Sequence, residues 1–215
     1  AFVSHELDDS SQSYVDLRAK HFLVDDKSNV AKELLEVKLR TNYANLSEFT
    51  ALHMFVVSLR CEHSCPYCQV SRQSDDKMKY DMTEEIADKA IDFALRSPAR
   101  AIKIEFQGGE PLLNFPIIKY IVDQANLRKG NKNISYVIAT NLALINEEIL
   151  DYCKSNAIQI STSLDGPKDL HNSNRPRPGK NSYEKAILGI KMVRERLGFD
   201  AVSALMTTTA ASLDR

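Results

Sequence analysis

From Leu52 onward the chain repeats one pattern: a short apolar, β-branched run, then a longer stretch with apolar residues at helical spacing. The runs are Leu52–Leu59, Ala101–Phe106, Ile134–Ala139, Ala157–Leu164 and Ala201–Thr208, each of strand length and rich in β-formers. Between the first two runs, Met82, Ile86, Ala87, Ala90, Ile91, Ala94 and Leu95 fall on one helical face. Strands separated by crossovers of this length pair in parallel, with right-handed connections. The fold class is therefore α/β. Periodicity alone leaves two architectures open, an open doubly wound sheet or an arc of a (β/α) barrel.

Punctuation supports these boundaries. Asp81, with Glu84 three residues on, reads as an N-cap, and Ser97-Pro98 ends that helix. Pro116 opens the next helix and Lys129-Gly130-Asn131 stops it. Asn146 caps a helix whose apolar face carries Ile149, Leu150 and Cys153, the last read as core packing. Residues 165–181, with prolines at 167, 176 and 178, read as a loop. Asn181 with Glu184 opens a last helix that closes at Gly198. Residues 1–50 are polar, with one short amphipathic helix at Val30–Leu39, and are expected to be a partly helical attachment to a core at 51–215. The first residue is not Met, which suggests a fragment or a processed chain.

Composition narrows the function classes. Net charge is −1 with no Lys/Arg block, so nothing favours nucleic acid or anionic lipid. No apolar run approaches the roughly 18 residues that a transmembrane helix requires, and the first ten residues lack the layout of a secretory signal. Of four cysteines, Cys61, Cys65 and Cys68 crowd into one short loop. Clustered thiols without a secretory signal point to metal and to a reducing cytoplasm.

That loop, Cys61-x-x-x-Cys65-x-x-Cys68, directly follows the first strand, and in parallel α/β sheets sites are built at the C-terminal strand ends. Three thiolates can each hold one iron of a cubane cluster, leaving a fourth iron open to a chelating ligand. A zinc site using His63 is the alternative, but common zinc spacings need a second ligand pair that this sequence lacks. At the second strand end, Gln107-Gly108-Gly109-Glu110-Pro111 offers a backbone that a ligand can approach closely, and a carboxylate suited to an amine. At the fourth, Ser161, Ser163, Asp165, Gly166 and Pro167 are followed by His171 and Arg175. Hydroxyls suit a ribose and an arginine suits a carboxylate, although an Asp-Gly-Pro turn with surface charges would read the same way.

Together these motifs, with Tyr67 before the last cysteine, resemble those of radical S-adenosylmethionine (SAM) enzymes, in the peptide-modifying branch that includes anaerobic sulfatase-maturating enzymes. More narrowly, LRCEHSCPYCQVSRQ, KIEFQGGEPLLNFP and STSLDGPKDLHNSNRPRPG resemble the His-Xaa-Ser system radical SAM maturases (B component). The resemblance implies a partial (β/α)6 TIM-like barrel, truncated after about five strands, with the cysteine-rich C-terminal extension of that branch absent. It implies that Cys61, Cys65 and Cys68 ligate a [4Fe–4S] cluster and that the Tyr67 backbone lies near the adenine of SAM. Gly108, Gly109 and Glu110 would receive the methionine amine, Ser163 the ribose and Arg175 the methionine carboxylate. Leu142 stands where many relatives have glycine, so a differently shaped loop is expected there.

The implied activity is reductive cleavage of SAM to a 5′-deoxyadenosyl radical that takes a hydrogen from a peptide or protein. An electron donor such as flavodoxin or ferredoxin is the implied partner, and the cytoplasm the implied location. Two other functions stay open, a radical SAM enzyme for a small molecule and a non-catalytic metal-binding module. Lys103 and Glu105 on the second strand are candidates to face a polar substrate inside the barrel.

Overall fold

The structure, a computed structural model, describes residues 7–23, 29–44, 46 and 50–213. The chain divides into two compact units, residues 1–49 and 50–215. In the first, α1 (Gln12–Ala19) starts at Ser11, whose side chain accepts from the Tyr14 N–H. Helix α2 (Val30–Asn42) runs one turn beyond the expected Val30–Leu39, and its Leu34, Leu35, Val37 and Leu39 are exposed.

The second unit holds β1 (Leu52–Ser58), α3 (Lys77–Tyr80), α4 (Glu84–Leu95), β2 (Ala101–Gly108), a 3₁₀ turn (Pro111–Asn114) and α5 (Phe115–Arg128). It continues with β3 (Asn133–Thr140), α6 (Glu147–Ser155), β4 (Gln159–Ser163), α7 (Lys168–Asn174), α8 (Ser182–Leu197) and β5 (Val202–Leu205). All neighbouring strands are parallel, in the order β1-β2-β3-β4-β5. This order decides between the two architectures. A doubly wound sheet reverses its strand order at a switch point, whereas successive right-handed crossovers that always step the same way put every helix on one face, as in a barrel. The sheet is thus an arc of a (β/α) barrel.

Alternation along the strands sorts the two faces. Val57, Ile104, Phe106, Ile138 and Ile160 are buried and pack with Ile91, Ile118, Ile121, Leu150, Cys153 and Val193 from the helices. Phe106 stacks on Tyr136 and meets Phe55 edge-on, with ring centroids 6.2 and 6.5 Å apart. On β2 the alternate residues Lys103, Glu105 and Gln107 are not buried. A polar row on a central parallel strand, where both faces are ordinarily apolar, marks the open face as the one that meets a ligand.

Two local readings change. Helix α4 is capped by Thr83, whose hydroxyl accepts from the Ile86 N–H, and not by Asp81, whose carboxylate is taken by Arg60 and Ser58. Residues 165–181 are not all loop. Pro167 precedes α7 while Pro176 and Pro178 lie beyond it, so the prolines bracket a helix instead of interrupting one. At Leu142 the backbone takes the left-handed φ of 63°, which a glycine would adopt without strain. The Leu142 side chain is buried against Gly189 of α8, where an added Cβ would stand 2.6 Å from the Leu142 Cβ.

Candidate cofactor site

One cavity of about 320 Å3 opens at the C-terminal ends of the strands, within the roughly 300–1,000 Å3 usual for small-molecule sites. Cys61, Cys65, Tyr67 and Cys68 line it from the loop after β1, and Gln107, Gly108 and Gly109 from the end of β2. Thr140 and Asn141 come from β3, Ser161 and Ser163 from β4, and Arg175 and Thr207 from the segments after α7 and β5. Five strand ends therefore converge on one space.

The three cysteines carry free thiols. Burial pushes the Cys61 thiol up to about 12, and burial likewise raises Cys65. A cluster would have to displace those protons, as metal binding to thiols does. Among the described residues, the group whose ligand atoms lie within 4.8 Å of one another is Cys61, Glu62 and His63. His63 lines the same cavity, but its Nδ1 lies 3.3 Å from Glu62 and 2.9 Å from the Asn141 amide, so that nitrogen is already engaged. Three thiols facing one cavity fit a cubane with one open iron better than a zinc site completed by this histidine.

The glycine turn does something the sequence did not show. A Cβ on Gly108 would lie 2.1 Å from the Ser58 carbonyl oxygen, and one on Gly109 would lie 2.3 Å from that of Arg60. The Gly109 and Glu110 N–H groups donate to those same oxygens at 2.8 and 2.7 Å. What approaches this backbone closely is the base of the cysteine loop itself. Glu110 does not face the cavity. Its carboxylate is fully buried and accepts from Leu112 N, the Thr140 hydroxyl and Asn141 N, at 3.0, 2.7 and 2.9 Å. It ties the turn after β2 to the end of β3.

Two buried groups near the site have displaced titrations of opposite consequence. Burial, helped by the Glu62 carboxylate, pushes Glu110 up to about 7 against its three donors. Burial lowers His171 to about 4, in keeping with its Nδ1 accepting the Asp165 N–H at 3.1 Å. Glu110 favours folding fully below 4.5, and that contribution is lost as pH rises through 7. His171 favours folding fully above 6.5, and that contribution is lost as pH falls through 4. Each is worth ~3 kcal/mol, so between 4.5 and 6.5 they oppose and nearly cancel. In melting curves of the cluster-free protein this pair should therefore add no net slope with pH in that window, although burial also lowers the His53 pKa and adds a rise of its own. Relative to wild type, Glu110→Gln should make stability rise more steeply with pH there and His171→Gln should tilt it downward; profiles parallel to wild type in both variants would refute the assignment.

The pattern of the radical SAM superfamily matches residues 55–209. This chain belongs to that superfamily. A radical SAM cyclopropyl synthase, TigE, of Paramaledivibacter caminithermalis is 27% identical over 202 residues, covering 87% of the chain and 42% of the relative. An uncharacterised protein of Methanocaldococcus jannaschii is 42% identical over 135 residues, 63% of the chain and 44% of the relative. A cysteine-type anaerobic sulfatase-maturating enzyme of Clostridium novyi is 29% identical over 168 residues, 74% of the chain and 43% of the relative. The solved structure of native anSMEcpe with bound AdoMet shares the fold, with a TM-score of 0.62 at 24% identity over 72% of this chain and 43% of that one. The chain thus spans less than half the length of these relatives. Radical SAM proteins use a [4Fe–4S] cluster and SAM, and the donor set here fits both.

Of the residues expected from sequence, the cavity brings together Cys61, Cys65, Cys68, Tyr67, Gly108, Gly109, Ser163 and Arg175, and leaves Glu110 behind its wall. Gln107, read as the start of the glycine turn, lines it too, and so do Thr140, Asn141 and Thr207, which were given no site role because each depends on a strand end whose position only the sheet order fixes. A second cavity of about 270 Å3 on the same sheet face is lined by Lys103, Glu105, Gln159, Ser161, Asp200 and Ser203 among others, and Glu105 and Ser161 border both cavities. No helix among the described residues is long and apolar enough to cross a membrane.

Proposed function

We propose that this chain is the cofactor-binding part of an enzyme that cleaves SAM reductively to modify a peptide or protein, as a His-Xaa-Ser-type maturase. The observation that carries this reading is the arrival of three thiols, a glycine turn, strand-end hydroxyls and Arg175 at a single cavity. The names of the relatives support the substrate class: two kinds are sulfatase-maturating enzymes, and one solved neighbour holds a Cp18Cys peptide. In this reading Cys61, Cys65 and Cys68 hold the cluster. The turn at Gly108-Gly109 faces the amine of SAM, with Glu110 acting from behind as its anchor. Ser163 meets the ribose, the Tyr67 backbone lies by the adenine, and Arg175 is the donor for the carboxylate.

The cluster and SAM, when bound, supply one-electron chemistry that no side chain provides. The protein's part is to orient them and to keep water from the reacting face. The polar row Lys103, Glu105 and Gln107 continues from the cofactor cavity into the second one, and there a polar peptide segment would lie. Electrons would come from a flavodoxin or ferredoxin in the cytoplasm.

Anaerobic iron–sulfide reconstitution followed by EPR of the reduced protein tests the proposal. A [4Fe–4S] signal that shifts on adding SAM, and that Cys65→Ala abolishes, is the expected result. Folded, colourless protein that retains zinc instead would show that the site is not a radical SAM centre.

A further inference from the structure

The densest side-chain network beside the cofactor cavity centres on a residue that does not line it. Asp165 is fully buried. Its carboxylate accepts from Arg175 Nε at 2.8 Å and Nη2 at 3.1 Å, from the Thr207 N–H at 3.0 Å, and from the Tyr67 hydroxyl. Its own N–H donates to His171 Nδ1. Tyr67 belongs to the cysteine loop, Arg175 follows α7 and Thr207 follows β5, so one carboxylate joins three segments that are remote in sequence. All three of those residues line the cavity. The Arg175 guanidinium also lies 5.4 Å from the Tyr67 ring centroid, within cation–π reach.

We propose that Asp165 is a positioning residue for the SAM pocket, holding the Arg175 guanidinium and the Tyr67 ring at the cavity wall so that the ligand meets a preset donor edge. The proposal rests on the reading of the cavity as a SAM site. The forked geometry supports it. Arg175 spends Nε and Nη2 on Asp165, and Nη1 makes none of the described hydrogen bonds, so the bidentate pair aims the remaining donor edge. Burial raises the Asp165 carboxyl, but the Arg175, Tyr67 and Thr207 donors outweigh it and hold the group below its usual range. It is an anion wherever the protein is folded near neutral pH.

The sign of one effect separates positioning from simple charge neutralisation. If Asp165 only offset the charge of Arg175, removing its charge would leave a bare guanidinium that attracts a carboxylate-bearing ligand more strongly. If it positions the fork, removing its charge weakens binding. Calorimetric titration of the anaerobically reconstituted protein with SAM reads the difference, with the cluster EPR signal recorded before SAM is added. Wild type should bind. Asp165→Asn should bind roughly tenfold more weakly or worse, with its SAM-free EPR signal unchanged. Tyr67→Phe, which removes only the hydroxyl, should weaken binding about threefold, with a melting temperature lowered by several degrees and the fold retained.

Unaltered or tighter binding by Asp165→Asn overturns the proposal while leaving the SAM site intact. Failure of wild type to bind SAM removes the functional reading on which it rests. If Asp165→Asn does not fold, Tyr67→Phe decides, and unaltered affinity in that variant overturns the proposal.

Discussion

Gly109→Ala is expected to abolish cluster incorporation while leaving the sheet folded. The added Cβ would stand 2.3 Å from the Arg60 carbonyl oxygen, 2.7 Å from the carbon behind it and 2.9 Å from the Leu59 carbonyl oxygen. These are backbone atoms, so no rotamer change relieves the overlap. The Glu110 N–H bonds that same Arg60 oxygen at 2.7 Å, so the two segments cannot separate without breaking the bond. Overpacking of this kind costs ~1–3 kcal/mol, a loss that the buried core of β1–β4 can absorb. The geometric consequence is larger than the energetic one. Arg60 directly precedes Cys61, so the displacement passes straight into the first thiol. A shift of ~1 Å at a preorganised site is worth about two orders of magnitude in function. Iron and sulfide content after reconstitution, with a melting curve on the same sample, checks this. Iron content equal to wild type would mean that the loop base yields more easily than its hydrogen bonds suggest.

The same contact shows what could and could not be read in advance. The adjacent glycine, glutamate and proline letters after a strand were legible as part of a site, and the cavity includes Gly108 and Gly109. Their close neighbour was not legible, because Ser58 and Arg60 lie about fifty positions upstream and only the parallel pairing of β1 with β2 brings them together. The strands themselves were legible because each is a short apolar run set off by turn residues. Their order was not legible from periodicity, which is blind to which way a crossover steps; the family resemblance implied a barrel arc, and the sequential order of the sheet bears that out. Asp81 was misread as a cap, and Asp165, though inside a site motif, was given no role of its own, for a common reason. A carboxylate in the right local frame reads as a helix cap or a turn residue, whereas here each is claimed by an arginine from another segment. Glu110 differs only in degree, with its partners one strand away.

Asp81→Ala is expected to be strongly destabilising. Asp81 and Arg60 have side chains only 6% and 12% exposed, and they pair through two bonds, Nε to Oδ1 at 2.8 Å and Nη2 to Oδ2 at 2.7 Å. The Ser58 hydroxyl donates to Asp81 Oδ1 at 2.7 Å, and Arg60 Nη2 also donates to the Leu113 carbonyl at 3.0 Å. Removing the carboxylate strands a guanidinium in the interior, and breaking a buried pair from one side costs ~3–5 kcal/mol. At roughly 2–4 °C per kcal/mol for a chain of this size, the melting temperature should fall by about 6–20 °C. The pair also ties the residue before Cys61 to the segment that leads into α4, so iron content should fall with stability. The double variant Arg60→Met with Asp81→Leu separates the two roles, because an apolar pair of similar volume is often as stable as the ion pair it replaces. Recovery of the melting temperature without recovery of iron is the expected result, since no apolar pair can hold the Leu113 carbonyl and the Ser58 hydroxyl. Full recovery of both would reduce the pair to a packing element and leave the cysteine loop to be held by the glycine turn and by contacts such as Tyr67 with Asp165.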